Sequence, residues 1–425
     1  MTENPGAFLG ENDVKFIRLA FCDLFGRLKN ISIMADEFEN VAAFGKSFDA
    51  SGIFGFVDTK GSDLLLMPDL TTMALLPWRP QQGGRVARVY CDILYSSGEP
   101  FELDGRRILK NSVRRLQALG YTAKIALECE FYLFNLGDQG QPILAPHDQA
   151  GYLDFAPLDK GENVRREICL NLEQMGIRPS SSLHESGPGQ NEIDLHRRSP
   201  IKMADAYIAF TNVAKTVASS FGLYASLLPK PLKDKSGSGL HVSIALEKDG
   251  ENVVKGEGGL TQAAQAFMQG ILSRVAEISA FLNPLPGSYS RLGRFDAPGE
   301  ISWSNQNLAQ LLRVAQSGGD RGAHIELRSP DPAMNPYIGF ALLLEAGAEG
   351  IERQLTLLPE GEVLGSLPGS LEKAVALAQG SDLVKRALPS RFAEPFLSHK
   401  LGEYERMFRS GDAESFEIEN DFPVI

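Results

Sequence analysis

Residues 124–134 read KIALECEFYLF. Ile125, Leu127, Cys129, Phe131 and Leu133 recur at every second position, so a strand would turn all five toward one side. Glu128 and Glu130 then fall together on the opposite side. Three further segments repeat the pattern. In residues 191–196 (NEIDLH), Ile193 and Leu195 alternate with Glu192, Asp194 and His196. In residues 239–246 (GLHVSIAL), Leu240, Val242, Ile244 and Leu246 alternate with His241 and Ser243. In residues 323–329 (AHIELRS), Ile325 and Leu327 alternate with His324, Glu326 and Arg328.

Each polar face, taken alone, is also what a half-exposed sheet shows to water. Four such strands make a shared inner surface the more economical reading. Carboxylates gathered on one surface repel unless they are protonated or bridged by cations. Glu128, Glu130, Glu185, Glu192 and Glu326, with the imidazole of His241, supply ligands for two divalent ions. Mostly oxygen ligands with a single nitrogen suit Mg²⁺ or Mn²⁺ better than zinc or copper. No H-E-x-x-H, Walker A or G-x-G-x-x-G string competes for the assignment.

Outward from this core, residues 14–21 (VKFIRLAF) and 28–33 (LKNISI) read as strands around a turn at Asp23–Gly26. Gly52–Val57 and Val86–Leu94 also read as strands, whereas the prolines in SDLLLMPD and LLPWRP point to irregular structure. Beyond residue 98 the character changes. Asp104 is placed to cap a helix over 105–119, and Val164, Ile168, Leu172 and Met175 mark another over 164–176. A chain of 425 residues is long for one core, so two domains are expected, 1–98 and 99–425.

The net charge of −12 argues against nucleic-acid or anionic-membrane surfaces, and no apolar run reaches membrane-spanning length. Residues 1–10 lack a basic-then-apolar secretion pattern, and four scattered cysteines form no C-x-x-C pair. The expectation is a cytoplasmic protein acting on small molecules.

Several motifs in order carry a resemblance to type I glutamine synthetases. They are E128-C-E130, H184-E185-S-G-P-G-Q-N-E192, LLPK230P, G237-S-G-L-H241 and E326-L-R328-S-P-D-P-A-M-N-P-Y, with F48-D49-A-S-G-I and S62-D-L-L-L-M-P-D69 in the N-terminal part. The resemblance implies an α+β chain: a β-grasp N-terminal domain followed by a glutamine-synthetase-type catalytic domain, an open antiparallel barrel with flanking helices. It implies an ATP-dependent ligase that makes a γ-glutamyl amide from glutamate and ammonia through a γ-glutamyl phosphate, with ATP as substrate and two or more Mg²⁺ or Mn²⁺ ions per site. Glu130, Glu185 and Glu192 match the ligands of one ion, and Glu128, His241 and Glu326 those of the ion beside the nucleotide phosphates. Arg291, Arg328 and Gly237 match contacts to glutamate. Ser243, Arg313 and Arg321 fall on the phosphate side. Asp296 and Asp49 match acidic groups near the ammonium pocket, Asp49 being supplied by a neighbouring subunit of a homo-oligomer of stacked rings, a dodecamer.

The sequence departs from the family pattern mainly on the phosphate side. Ser243 holds the second histidine position of an H-x-H pair, Leu308 and His324 hold arginine positions, Ser180 a glutamate position and Ser236 an asparagine position. Asp296 is one methylene shorter than the family's glutamate. Residues 355–372 contain no tyrosine, so control by nucleotide attachment there is not expected. Alternatives left open are a ligase using another amine or carboxylate, and a non-catalytic ring-forming homologue.

Overall fold

Apolar residues at alternate positions make strands of Val14–Cys22 (β1) and Leu28–Met34 (β2), joined by a turn in which Gly26 takes φ +79°. The structure is a computed structural model and describes residues 5–57, 62–79, 83–317 and 322–425. Lys46–Asp49 (β3), Asp63–Pro68 (β4), Ala74–Leu75 (β5) and Arg85–Tyr95 (β6) complete a six-stranded sheet ordered β2-β1-β6-β4-β3, with β5 beside β6. β1 and β6 run parallel, and the other pairs run antiparallel. Two short helices accompany this sheet, Pro5–Glu11 (α1) and Phe38–Phe44 (α2).

Two expectations fail here. Residues 52–57 form turns rather than a strand. Ile53 N–H bonds to Ala50 O and Phe56 N–H to Ile53 O, while Gly55 takes φ +78°, and together these fold the backbone before it can extend. Residues 63–68, expected to be irregular, are β4. Pro68 is tolerated because it closes the strand: β3 pairs only with residues 63–66, so Pro68 has β6 on one side and no ladder partner on the other.

The second part begins with Gly105–Ala118 (α3), capped by Asp104, whose carboxylate accepts from Arg106 N–H at 3.0 Å. Thr122–Leu136 (β7), Pro142–Pro146 (β8), Glu162–Gln174 (α4), Pro179–His184 (β9), Gln190–Arg198 (β10), Pro200–Ser220 (α5), Leu223–Ser226 (β11) and Leu240–Lys248 (β12) follow. Then come Glu251–Asn252 (β13), the hairpin Lys255–Gly256 (β14) and Gly259–Leu260 (β15), Gln262–Leu282 (α6), Ser288–Arg291 (α7), Glu300–Ile301 (β16), Trp303–Ser304 (β17), Leu312–Ser317 (β18), Gly322–Leu327 (β19) and Pro336–Glu352 (α8). Further helices lie between Leu371 and Asn420.

Ten strands form one sheet along the path β17-β18-β19-β12-β7-β10-β9, with β8 and β11 on β7 and β13 on β12. Its end strands do not pair with each other, so the sheet is open, and every pair is antiparallel except β17 with β18. The chain is therefore α+β, as expected. α6 and α8 approach closely because glycines stand where they cross. A Cβ at Gly350 would lie 2.0 Å from Ala266 O, and one at Gly270 would lie 2.2 Å from Ala346 O. Among the described residues no helix is long and apolar enough to cross a membrane.

Arg106 joins the two parts. It is 2% exposed and reaches Asp69 at 2.6 Å and Asp92 at 3.1 Å in the N-terminal part, and Asp205 of α5 at 2.5 Å. Removing one partner of a buried ion network strands the others, at a cost of about 3–5 kcal/mol. Arg106→Leu is expected to lower the denaturant midpoint by a stability loss of that size. An unchanged midpoint would remove Arg106 as the joint between the parts.

Candidate active site

The sheet register brings the four polar faces together. His241 of β12 lies opposite Glu128 of β7, which lies opposite Asp194 of β10. Two pairs along, on the same face, Glu130 lies opposite Glu192. Glu326 of β19 faces Ser243 on one side and Arg313 of β18 on the other. The alternate residues Ile125, Leu127, Cys129, Ile193, Leu240, Val242, Ile325 and Leu327 are all buried in the hydrophobic core behind the sheet. Burial of that apolar face fixes the direction of the polar one, since a slip of one residue would exchange them.

Glu128, Glu130, Glu185, Glu192 and His241 line a cavity of about 440 Å³, together with Gly237, Arg291, Asp296, Arg313 and Arg328. Glu326 sits at its base, 1% exposed. His241 Nδ1 is 2.9 Å from Glu128 Oε2 and 3.8 Å from Glu326 Oε1, and its Nε2 is 3.7 Å from Glu130 Oε1. One ligand atom each from Glu128, His241 and Glu326 lie within 4.8 Å of one another.

The charges on this wall are unevenly met. Glu326 receives Arg328 Nη1 at 2.5 Å and Arg313 Nη1 at 3.3 Å. Glu130 receives only neutral donors, Gly239 N–H at 2.9 Å and Gln190 Nε2 at 3.0 Å. Burial pushes the Glu130 carboxyl up to about 7, against the pull of Arg291. Burial, then the charges of Glu130, Asp194, Glu128 and Glu185, push Glu192 up further. Burial also raises Glu128 and Glu185. His241 is held well below its ordinary value by burial and then by Arg328, so its imidazole is neutral. Carboxylates without a counter-charge, beside a neutral imidazole, are a donor set suited to hard divalent cations.

Arginines line the same cavity, Arg313 and Arg328 beside Glu326 and Arg291 against Gly237. Arg291, 3% exposed, donates to the carbonyls of Ser329 at 2.8 Å, Pro330 at 3.3 Å and Arg328 at 3.1 Å. The Nε atoms of Arg313 and Arg328 are buried without a hydrogen-bond partner. Gly237 must lack a side chain, because a Cβ there would lie 2.4 Å from Pro229 O and 2.9 Å from Arg291 Cγ. Asp296 hangs from a loop in which Phe295 takes φ +53° and stacks under Lys230 Nζ, 4.5 Å from the ring centroid.

Other residues expected from the sequence lie elsewhere. Asp49 is exposed at the end of β3, where it accepts from Ser51 N–H at 2.9 Å, and it is not part of the cavity wall. Ser243 is 4% exposed beneath the wall, between Ala126 and Glu326 in the register. Arg321 lies outside the described residues. Leu308 does line the cavity, 48% exposed, while His324 Nδ1 accepts from Arg197 Nη2 at 2.9 Å.

Sequence reasoning missed two supports. Gln190 holds Glu130 and Gly237 O together, the latter at 3.1 Å. Its i, i+2 relation to Glu192 was the available signal. Asp148 accepts from Gly189 N–H at 2.8 Å and from His184 Nε2 at 3.0 Å, and His184 Nδ1 donates to Glu185 O at 2.7 Å. This node fixes the backbone that carries Glu185. Asp148, His184 and Asp159 also lie close enough to hold a metal, but Asp159 pairs with Arg165 at 2.5 Å and the other two satisfy each other.

Family models described as the β-grasp and catalytic domains of glutamine synthetase match residues 13–96 and 102–419. A glutamine synthetase of Clostridium saccharobutylicum is 40% identical over 413 residues, covering 93% of each chain. One of Methanosarcina mazei is 39% identical, covering 93% of this chain and 92% of its own. One of Staphylococcus aureus is 38% identical, covering 95% and 94%. A solved complex of GmaS with ADP superposes with a TM-score of 0.87 at 27% identity, covering 99% of both chains.

The carboxyl shifts set a pH dependence. A carboxyl raised in the folded state holds its proton after the unfolded chain has released it at about 4.3. That stability is fully present below the unfolded value and is lost as pH rises through the folded one, near 7 for Glu130. Chelator-treated protein is therefore expected to lose urea midpoint between pH 5 and 9, and Glu192→Gln to flatten the fall. An identical slope in Glu192→Gln would refute the crowded-carboxylate account.

Proposed function

The chain belongs to the glutamine synthetase family, and on that premise we propose that it is a cytoplasmic ATP-dependent ligase joining ammonia to the γ-carboxylate of glutamate through a γ-glutamyl phosphate. The observation that carries the reading is the cavity itself, lined by carboxylates that among the described residues have no arginine ion pair, by a neutral imidazole and by arginines.

We assign Glu130, Glu185 and Glu192 to one divalent ion, Mg²⁺ or Mn²⁺, and Glu128, His241 and Glu326 to a second. Bound there, the ions supply positive charge that neutralises the nucleotide phosphates and the transferred phosphoryl group. Arg328 and Arg313, which line the cavity, hold anionic oxygens of glutamate and phosphate. Arg291 has its guanidinium fastened to three carbonyls, so it presents a fixed positive charge packed against Gly237, with which it lines the cavity. Asp296, on the cavity rim, takes a proton as ammonium becomes the nucleophile. Asp49 serves the same pocket only from a second copy of the chain, because it does not line the cavity of its own subunit. This requirement supports a homo-oligomer of stacked rings, a dodecamer. We also place the division between the parts at residues 98 and 99. Arg321, from the sequence, joins Arg313 on the phosphate side.

Leu308 on the cavity wall favours a second reading, in which the same chemistry uses another amine or another acid. Phosphate release from ATP separates the two. The first reading expects release that needs glutamate and ammonium together; release seen only with another amine or acid establishes the second. Glu130→Ala is expected to abolish release and the Mn²⁺-dependent rise in melting temperature. Arg328→Gln is expected to reduce kcat by about 10²–10³, the loss typical of one preorganised charge-stabilising donor. Normal turnover in both variants would sink the assignment.

A further inference from the structure

A separate hollow of about 310 Å³ lies where the two parts of the chain meet, outside the catalytic cavity. β6 contributes Arg88 and Tyr90, the end of β10 contributes Arg198, and the first turn of α5 contributes Lys202. Thr71 and Thr72 close one side.

Its charge balance is unusual for a chain of net charge −12. Among the described residues, Arg88, Arg198 and Lys202 make no ion pair, whereas buried arginines elsewhere in the fold, such as Arg106 and Arg165, each hold a carboxylate. The acid on this wall, Asp205, is already taken by Arg106 at 2.5 Å and by Tyr337 Oη at 2.7 Å. Arg88 is 7% exposed; its guanidinium lies 4.1 Å from the Tyr90 ring centroid and Nη1 donates to Tyr90 Oη at 3.0 Å. Its Nε is buried with no hydrogen-bond partner. Arg198 spends one N–H on Gly176 O and is otherwise unmatched. A buried, always-charged guanidinium with no carboxylate against it is costly unless an anion approaches it; Nε itself is shut off from the hollow. The stacking on Tyr90 fixes the plane of the fork, so it is preorganised for a carboxylate or phosphate.

We propose that this hollow is a binding site for a small dianion, a dicarboxylate or a phosphate group, held by Arg88, Arg198 and Lys202 from both parts of the chain. Three cations without an ion-pair partner call for more than one negative charge, and a hollow of about 310 Å³ has room for a small molecule. The bound dianion would tie β6 to β10, the strand that carries Glu192.

Isothermal titration and thermal melting of the full chain test this with inorganic phosphate and with succinate, each against sodium chloride at equal ionic strength. Saturable binding and a rise in melting temperature are expected for at least one of them. The anion that binds identifies the chemistry. Losing one charge-assisted donor weakens binding about tenfold or more, so Arg88→Met and Lys202→Met are each expected to do so. Lys202 is exposed, so Lys202→Met keeps the test decisive if Arg88→Met fails to fold. Response to neither anion beyond chloride overturns the proposal. So does binding that survives both substitutions, and if Arg294→Met, on the catalytic wall, then weakens it, the anion belongs to the catalytic cavity.

Discussion

Like charges in one enclosed space repel, and the rest of the catalytic part is arranged around that fact. Glu130 and Glu192 face each other across β7 and β10, with Glu128 and Glu185 close by, and among the described residues none of these four carboxylates forms an ion pair with an arginine. Their raised affinity for protons measures how poorly the charge is met within the chain. A divalent cation answers this repulsion better than any side chain could, because it sits between the oxygens without adding bulk or hydrogen-bonding demands of its own. Glu326 differs because Arg313 and Arg328 already neutralise it, so it can be buried at the base of the cavity.

Holding repelling groups at fixed separations needs a stiff surround. The sheet supplies part of it, since the apolar alternate residues pin each strand's register against the core. Side-chain and backbone bonds supply the remainder. Gln190 ties Glu130 to the glycine loop, Arg291 is fastened to three carbonyls, and the Asp148–His184 pair secures the chain beside Glu185. Gly237 and Gly239 let that loop pass against Arg291 and His241, where a Cβ would collide. Gln190, Gly237 and Arg291 also line the cavity, whereas Asp148, His184 and Gly239 support it without lining it.

The junction between the parts is polar where the core is apolar. Arg106 gathers acids from both parts, and next to it Arg88, Arg198 and Lys202 surround a hollow with no acid to spare. The contrast is between a closed ion network that joins the parts and an open one that has room for a small anion. Both lie at the root of β10 and α5, so anything that moves the junction acts on the strand that bears Glu192.

By itself the sequence determined the strands of the site and the direction of their polar faces, because two-residue alternation is a local property of the backbone. Glu128, Glu130, Glu192, His241 and Glu326 could be read from it for that reason, and so could the helix capped by Asp104. The tertiary structure decided what alternation cannot carry. Residues 52–57 turn because Gly55 adopts a left-handed backbone, and 63–68 pair despite Pro68 because β3 stops short of it. Pairing order set Arg313 opposite Glu326, left Glu130 with neutral donors and left Ser243 buried and outside the cavity lining. Asp49 is exposed and does not line the cavity of its own chain. Charge balance around a buried group depends on neighbours far apart in sequence, and only the folded arrangement brings them within the few ångströms over which they act.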